Sequence, residues 1–107
     1  MATTPEGRIK NKIKKVLDKY LAQLYVYMPV PSGYGMPSLD FVCSVDVGGG
    51  AGLAFAIEAK RPGEVPTPRQ QGTMAAMVTG GVRVFVIDGD LGCEALETWL
   101  HSVTGGN

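Results

Sequence analysis

Metal-thiolate chemistry is nearly absent from this sequence. Its two cysteines, Cys43 and Cys93, form no CxxC pair, and His101 is its one histidine. A zinc site of the usual ligand spacing is therefore not expected, and these three residues are expected to serve packing or the surface. Long apolar runs are missing too. None approaches the ~18 residues of a membrane-crossing helix, so no membrane partner is expected. The opening MATTPEGRIK has no apolar stretch of the signal-peptide kind. The expectation is a cytoplasmic protein with reduced thiols. Internal repeats and long linkers are also lacking, so residues 1–107 are expected to form one domain.

Net charge is lacking as well. Ten Lys and Arg cancel ten Asp and Glu, which argues mildly against a nucleic-acid partner. The distribution is less even. Residues 1–20 carry Arg8, Lys10, Lys12, Lys14, Lys15 and Lys19 against Glu6 and Asp18, a balance of +4. Residues 84–107 carry Asp88, Asp90, Glu94 and Glu97 with no Lys or Arg, a balance of −4. Either one end meets a polyanion while the other turns away, or the basic stretch is a solvated helix face.

What is present is a clear alternation of helix and strand signals. Thr4-Pro5-Glu6 is a helix start, with Thr as N-cap, Pro at the first helical position and an acid in the first turn. Ile9, Ile13, Val16, Leu17, Tyr20, Leu21 and Leu24 then recur at helical spacing. On that wheel Glu6 falls inside the angular range of the apolar stripe. LYVYMPV (24 to 30) suggests a short strand, PSGYGMPS (31 to 38) a loop. LDFVCSV (39 to 45) alternates, and DVGGGAG (46 to 52) turns it back into LAFAIEAK (53 to 60), a hairpin. Thr67-Pro68-Arg69-Gln70 opens a second helix to about Thr79, its small Gly72, Ala75 and Ala76 suited to close packing on the sheet. VRVFVID (82 to 88) is a strand, GDLG a loop, and CEALETWLHSV (93 to 103) an amphipathic helix. The order is α-β-β-β-α-β-α.

Three charged residues gather on one face of that hairpin. Asp40 lies six residues before the turn and Glu58 six after it, so the two carboxylates can sit side by side. Close carboxylates repel and raise one pKa unless a cation is present. A divalent metal resolves the clash, and oxygen ligands suit Mg²⁺. Lys60, on the same face, could serve an attacking water or neutralise a pentacovalent phosphate. An ordinary strand-end Glu-Lys pair is the bland alternative. Glu6 either adds a third carboxylate or only answers the helix dipole. Gln70 either closes a capping box with Thr67 or points into the site. GGGAG (48 to 52) precedes a strand and lacks GK[ST], so no P-loop is expected. Tyr34, between glycines, either stacks on a base or covers a core edge.

Glu6, GMPSLDF with Asp40, AIEAKRPG with Glu58 and Lys60, and TPRQ with Gln70 before GGVRVFVID together resemble the virus-type replication-repair nuclease domain (VRR-NUC) of the PD-(D/E)xK nuclease superfamily. The resemblance spans about residues 5 to 90 and rests on the ordered set, no one motif being specific. It implies a restriction-endonuclease-like α/β core, with a mixed central sheet flanked by helices. It implies that Asp40, Glu58 and the backbone carbonyl of Ala59 hold Mg²⁺ or Mn²⁺. Lys60 would serve the attacking water, Glu6 would complete the acidic site or hold a second metal, and Gln70 would orient catalytic groups. The implied activity is structure-selective cleavage of branched DNA, Holliday-junction-like or flapped, in DNA repair. The implied state is a homodimer in the cytoplasm of a bacterium, or of the host if phage-encoded. Arg8, Lys12 and Lys15 on the basic helix, with Tyr34 and Arg61, are candidate DNA contacts. The chain departs from the superfamily pattern in Pro37-Ser38-Leu39-Asp40, where Pro often directly precedes the Asp. A non-catalytic DNA-binding or assembly module on the same fold is the first alternative, and a small structural dimerisation domain the second.

Overall fold

Thr4 opens the first helix, its Oγ1 accepting the Gly7 N–H at 3.0 Å while Pro5 takes the first helical position. The computed structural model describes residues 4–30 and 38–105. Helix α1 runs Pro5–Asp18 and buries Ile9, Ile13, Val16 and Leu17. Each such side chain contributes roughly 1.5–3 kcal/mol on full burial. The apolar periodicity continues to Leu24, but the helix does not. After Asp18 the chain tightens through a 3₁₀ turn, Leu21–Gln23, that keeps Tyr20 buried and turns Leu21 outward.

Strand β1 (Leu24–Tyr27) pairs antiparallel with β2 (Phe41–Gly48), and β2 antiparallel with β3 (Ala51–Ala59). Helix α2 (Pro68–Thr79) then carries the chain to β4 (Arg83–Ile87), which runs parallel to β3. Helix α3 (Asp90–Val103) completes the order. The result is an α/β fold with a four-stranded mixed open sheet, in the order β1-β2-β3-β4, and three helices. Among the described residues no helix is long and apolar enough to cross a membrane.

The core lies between the sheet and the helices α1 and α3. Phe41, Cys43 and Val45 of β2, Phe55, Ile57 and Ala59 of β3, and Phe85 and Ile87 of β4 meet the stripe of α1 and Cys93, Leu96 and Leu100 of α3. Burial pushes the Cys43 thiol up to about 12, and the Cys93 thiol is raised for the same reason, so both are inert packing groups. Helix α3 starts three residues earlier than CEALETWLHSV suggests. Gly92, which looks like a loop residue, is inside the helix and packs so closely on β4 that a Cβ there would meet Ile87 Cγ2 at 3.0 Å.

Three further expectations need correction. The hairpin turn is tighter than DVGGGAG suggests, because Gly48, Gly49 and Gly50 all take positive φ (90°, 65° and 78°), which glycine alone adopts cheaply. Helix α2 does not pack through its small residues. Gly72, Ala75 and Ala76 face outward, and Thr73, Met74 and Met77 are the half-buried side. The charged ends are not opposed either. Helices α1 and α3 lie side by side, with Lys12 Nζ 2.7 Å from Asp90 Oδ1 and Lys19 Nζ 2.9 Å from Glu97 Oε2. These exposed pairs contribute little to stability, but they cancel much of the local charge asymmetry.

Candidate active site

The β2–β3 register decides where the two carboxylates go. Phe41 faces Ile57 and Val42 faces Ala56, so Asp40, one residue before β2, falls opposite Glu58. The pairing is then closed by a side chain: Asp40 Oδ2 accepts the Ala59 N–H at 2.8 Å. The face of Ala56 and Glu58 is the one away from the α1–α3 core. Glu58 and Lys60 are nonetheless each only 5% exposed. Charges at that depth need partners, and these have them. Glu58 Oε2 accepts from Gln70 Nε2 at 2.8 Å. Lys60 Nζ lies 3.6 Å from Glu58 Oε2 and 3.8 Å from Glu64 Oε1. Among the described residues no buried side-chain nitrogen or oxygen is left without a hydrogen-bond partner.

Burial first, and the Asp40 carboxylate second, push the Glu58 carboxyl up to about 7, while Lys60 pulls it partly back. Glu58 therefore sits in a place that disfavours a lone negative charge. The donors there are hard oxygens, from two carboxylates at the end of a strand. That set fits Mg²⁺ or Mn²⁺, because a divalent cation would relieve the repulsion that lifts Glu58. Among the described residues no three Asp, Glu, His or Cys side chains are grouped closely enough to hold a metal by themselves. Two carboxylates remain the side-chain donors that this geometry brings together.

Gln70 resolves its two readings by doing both. Its Oε1 accepts the Thr67 N–H at 3.0 Å and Thr67 Oγ1 accepts the Gln70 N–H at 3.2 Å, a complete capping box. Its Nε2 is left free to donate to Glu58. The start of α2 thus holds the Glu58 carboxylate. Gln70→Glu separates the two roles, since glutamate can still cap but meets Glu58 with a like charge. We expect it to destabilise the fold by about 1–3 kcal/mol at pH 8. Near pH 5, where Glu58 is protonated, the cost should largely vanish. Urea denaturation at the two pH values measures this, and an equal cost at both would assign Gln70 to the cap alone.

The remaining candidates are more dispersed. Glu6 is at the rim, its Oε2 3.7 Å from Lys10 Nζ, and the same ammonium lies 3.4 Å from Asp40 Oδ1. Arg8 and Lys15 are exposed along α1, whereas Lys12 is engaged by Asp90. Arg61 Nε lies 3.2 Å from Glu64 Oε2. Tyr34 and its loop, from Pro31 to Pro37, lie outside the described residues. Two site residues were not singled out from the sequence. Lys10 carries the signal of standing four residues after Glu6 on one helix face. Glu64 follows in a loop where spacing carries no signal. A shallow cleft lined by Tyr20, Glu94, Glu97, Thr98 and His101 shares no residue with this site. No family model matches the chain, and no curated protein matches it.

Proposed function

We propose that this chain is a metal-dependent, structure-selective endodeoxyribonuclease with a restriction-endonuclease-like core, cleaving phosphodiester bonds in branched DNA. The observation that carries the reading is the convergence of Asp40, Glu58, Lys60 and Gln70 at one end of the sheet, two of them buried charges. Asp40, Glu58 and the backbone carbonyl of Ala59 would hold the ion. Bound there, Mg²⁺ or Mn²⁺ would supply Lewis-acid polarisation of the phosphoryl oxygens and offset charge that develops on them. Gln70 keeps Glu58 oriented, and the Ala59 N–H fixes the Asp40 carboxylate. Lys60 presents a water-excluded ammonium, a donor to a phosphate oxygen or to the water that attacks phosphorus. Arg8 and Lys15, exposed on α1, would meet flanking phosphates.

The test is cleavage of four-way, flapped and linear DNAs in Mg²⁺ and in Mn²⁺, beside Asp40→Asn. We expect cutting of branched substrates by the wild-type chain and a loss of about a hundredfold or more in the variant. No cutting of any substrate in either ion refutes the reading. Equal cutting by Asp40→Asn refutes the site.

A further inference from the structure

We infer that Lys10 is the resident counter-cation of this site, occupying the side of Asp40 that a divalent ion must take. The two oxygens of Asp40 are unequally used. Oδ2 is committed to the Ala59 N–H at 2.8 Å. Oδ1 is the oxygen left for a cation, and Lys10 Nζ lies 3.4 Å from it. The same ammonium reaches Glu6 Oε2 at 3.7 Å. Two lysines thus divide the acids between them: Lys60 stands at Glu58, and Lys10 joins Glu6 to Asp40.

The two lysines differ in how firmly they are held. The Lys60 side chain is 7% exposed and enclosed between Glu58 and Glu64, whereas the Lys10 side chain is 32% exposed. The backbone of Lys10 is fixed, because Ile9 and Ile13 on either side are buried. Its long side chain is not fixed in the same way, and part-exposed ion pairs are weak. Lys10 is therefore the cation that can leave. Its withdrawal frees Asp40 Oδ1 and Glu6 together, and the ammonium stays tethered at the rim. Metal entry and Lys10 departure are then one exchange, and Lys10 sets the apparent metal affinity. This inference rests on the metal-site reading of Asp40 and Glu58.

Mn²⁺ binding to the full chain, followed by loss of the free-ion paramagnetic resonance signal, tests it without cleavage. Lys10→Met is expected to bind Mn²⁺ about threefold to tenfold more tightly than wild type at low salt. Lys14→Met removes the same charge at an exposed position of α1 and is expected to change affinity less than twofold. Lys10→Arg keeps the charge and should stay near wild type. Thermal melts in chelator check that each variant is folded. Equal affinities for Lys10→Met and Lys14→Met overturn the inference, as does weaker binding by Lys10→Met. If wild type binds Mn²⁺ and cuts DNA while Lys10→Met binds no better, only this inference falls. If wild type binds no Mn²⁺ at millimolar concentration, the metal site falls and this inference with it.

Discussion

Lys60→Met is expected to slow phosphodiester cleavage by about a hundred- to a thousandfold while leaving the fold in place. The size follows from where the ammonium sits. It is 5% exposed, beside Glu58, so its field is poorly screened. Methionine keeps the length and apolar body of the side chain and removes only the charge. The usual cost of such a change is an orphaned buried partner, about 3–5 kcal/mol. Here the partner can escape. The Glu58 carboxyl already stands at about 7, and Lys60 is the group holding it down. Without Lys60 it moves further up and takes a proton near neutral pH. Glu64, the other partner, is one-third exposed and keeps Arg61 at 3.2 Å.

The variant should therefore melt within a few degrees of wild type at pH 6.5 and still bind branched DNA. Initial rates in saturating Mg²⁺, with melting curves alongside, measure both halves. Cleavage within threefold of wild type would remove Lys60 from the chemistry. A folded, DNA-binding variant that stays inactive as the pH is raised to ionise Glu58 again is the outcome that a purely structural Glu-Lys pair does not produce.

Much of this arrangement is legible in the residues, and the illegible part has physical causes. Both Thr-Pro starts are helix N-termini, because an N-cap hydroxyl and a preset φ are local chemistry. The alternation of 39 to 45 and 53 to 60 puts Asp40 and Glu58 on one face, and the short turn between the strands selects the register that sets them opposite each other. The end of α1 is not legible in the same way. Apolar spacing through Leu24 is served equally by another helical turn or by a 3₁₀ turn that keeps Tyr20 inside. The face of α2 is decided by what it packs against, and small residues suit an exposed face as well as a close contact. Lys10 is hidden among six basic residues of one segment, and only the fold brings it to Asp40. The opposite charge balances of the two ends conceal the same kind of fact, since the helices that carry them are neighbours. The double use of Gln70 is half legible. The capping box is a spacing, whereas the contact to Glu58 depends on where α2 crosses the sheet.

The second large effect is on stability and concerns the metal-free protein. Glu58 has a folded-state pKa near 7 against an ordinary value of 4.5, raised first by burial and then by Asp40. The sign follows directly. Between those two values the folded chain holds a proton at Glu58 that the unfolded chain has released. Stability from this group is therefore full below about pH 4.5 and is lost as the pH rises through about 7. At ~1.4 kcal/mol per pH unit, the loss is on the order of 3 kcal/mol. For a domain of this size that corresponds to a fall in Tm of roughly 10 °C or more. Glu58→Gln keeps an amide oxygen for Gln70 and cannot ionise, so this part of the slope should disappear. In chelator, the variant should be the more stable protein at pH 8 and close to wild type at pH 5. Melting curves across pH 4.5 to 8 for both proteins measure the difference. A wild-type profile that rises through this range, or a Glu58→Gln profile parallel to it, would show that Glu58 is ionised at no cost. Its environment would then carry no unmet demand for a cation. On the proposed reading, a divalent ion would relieve the buried carboxylate that destabilises the metal-free protein.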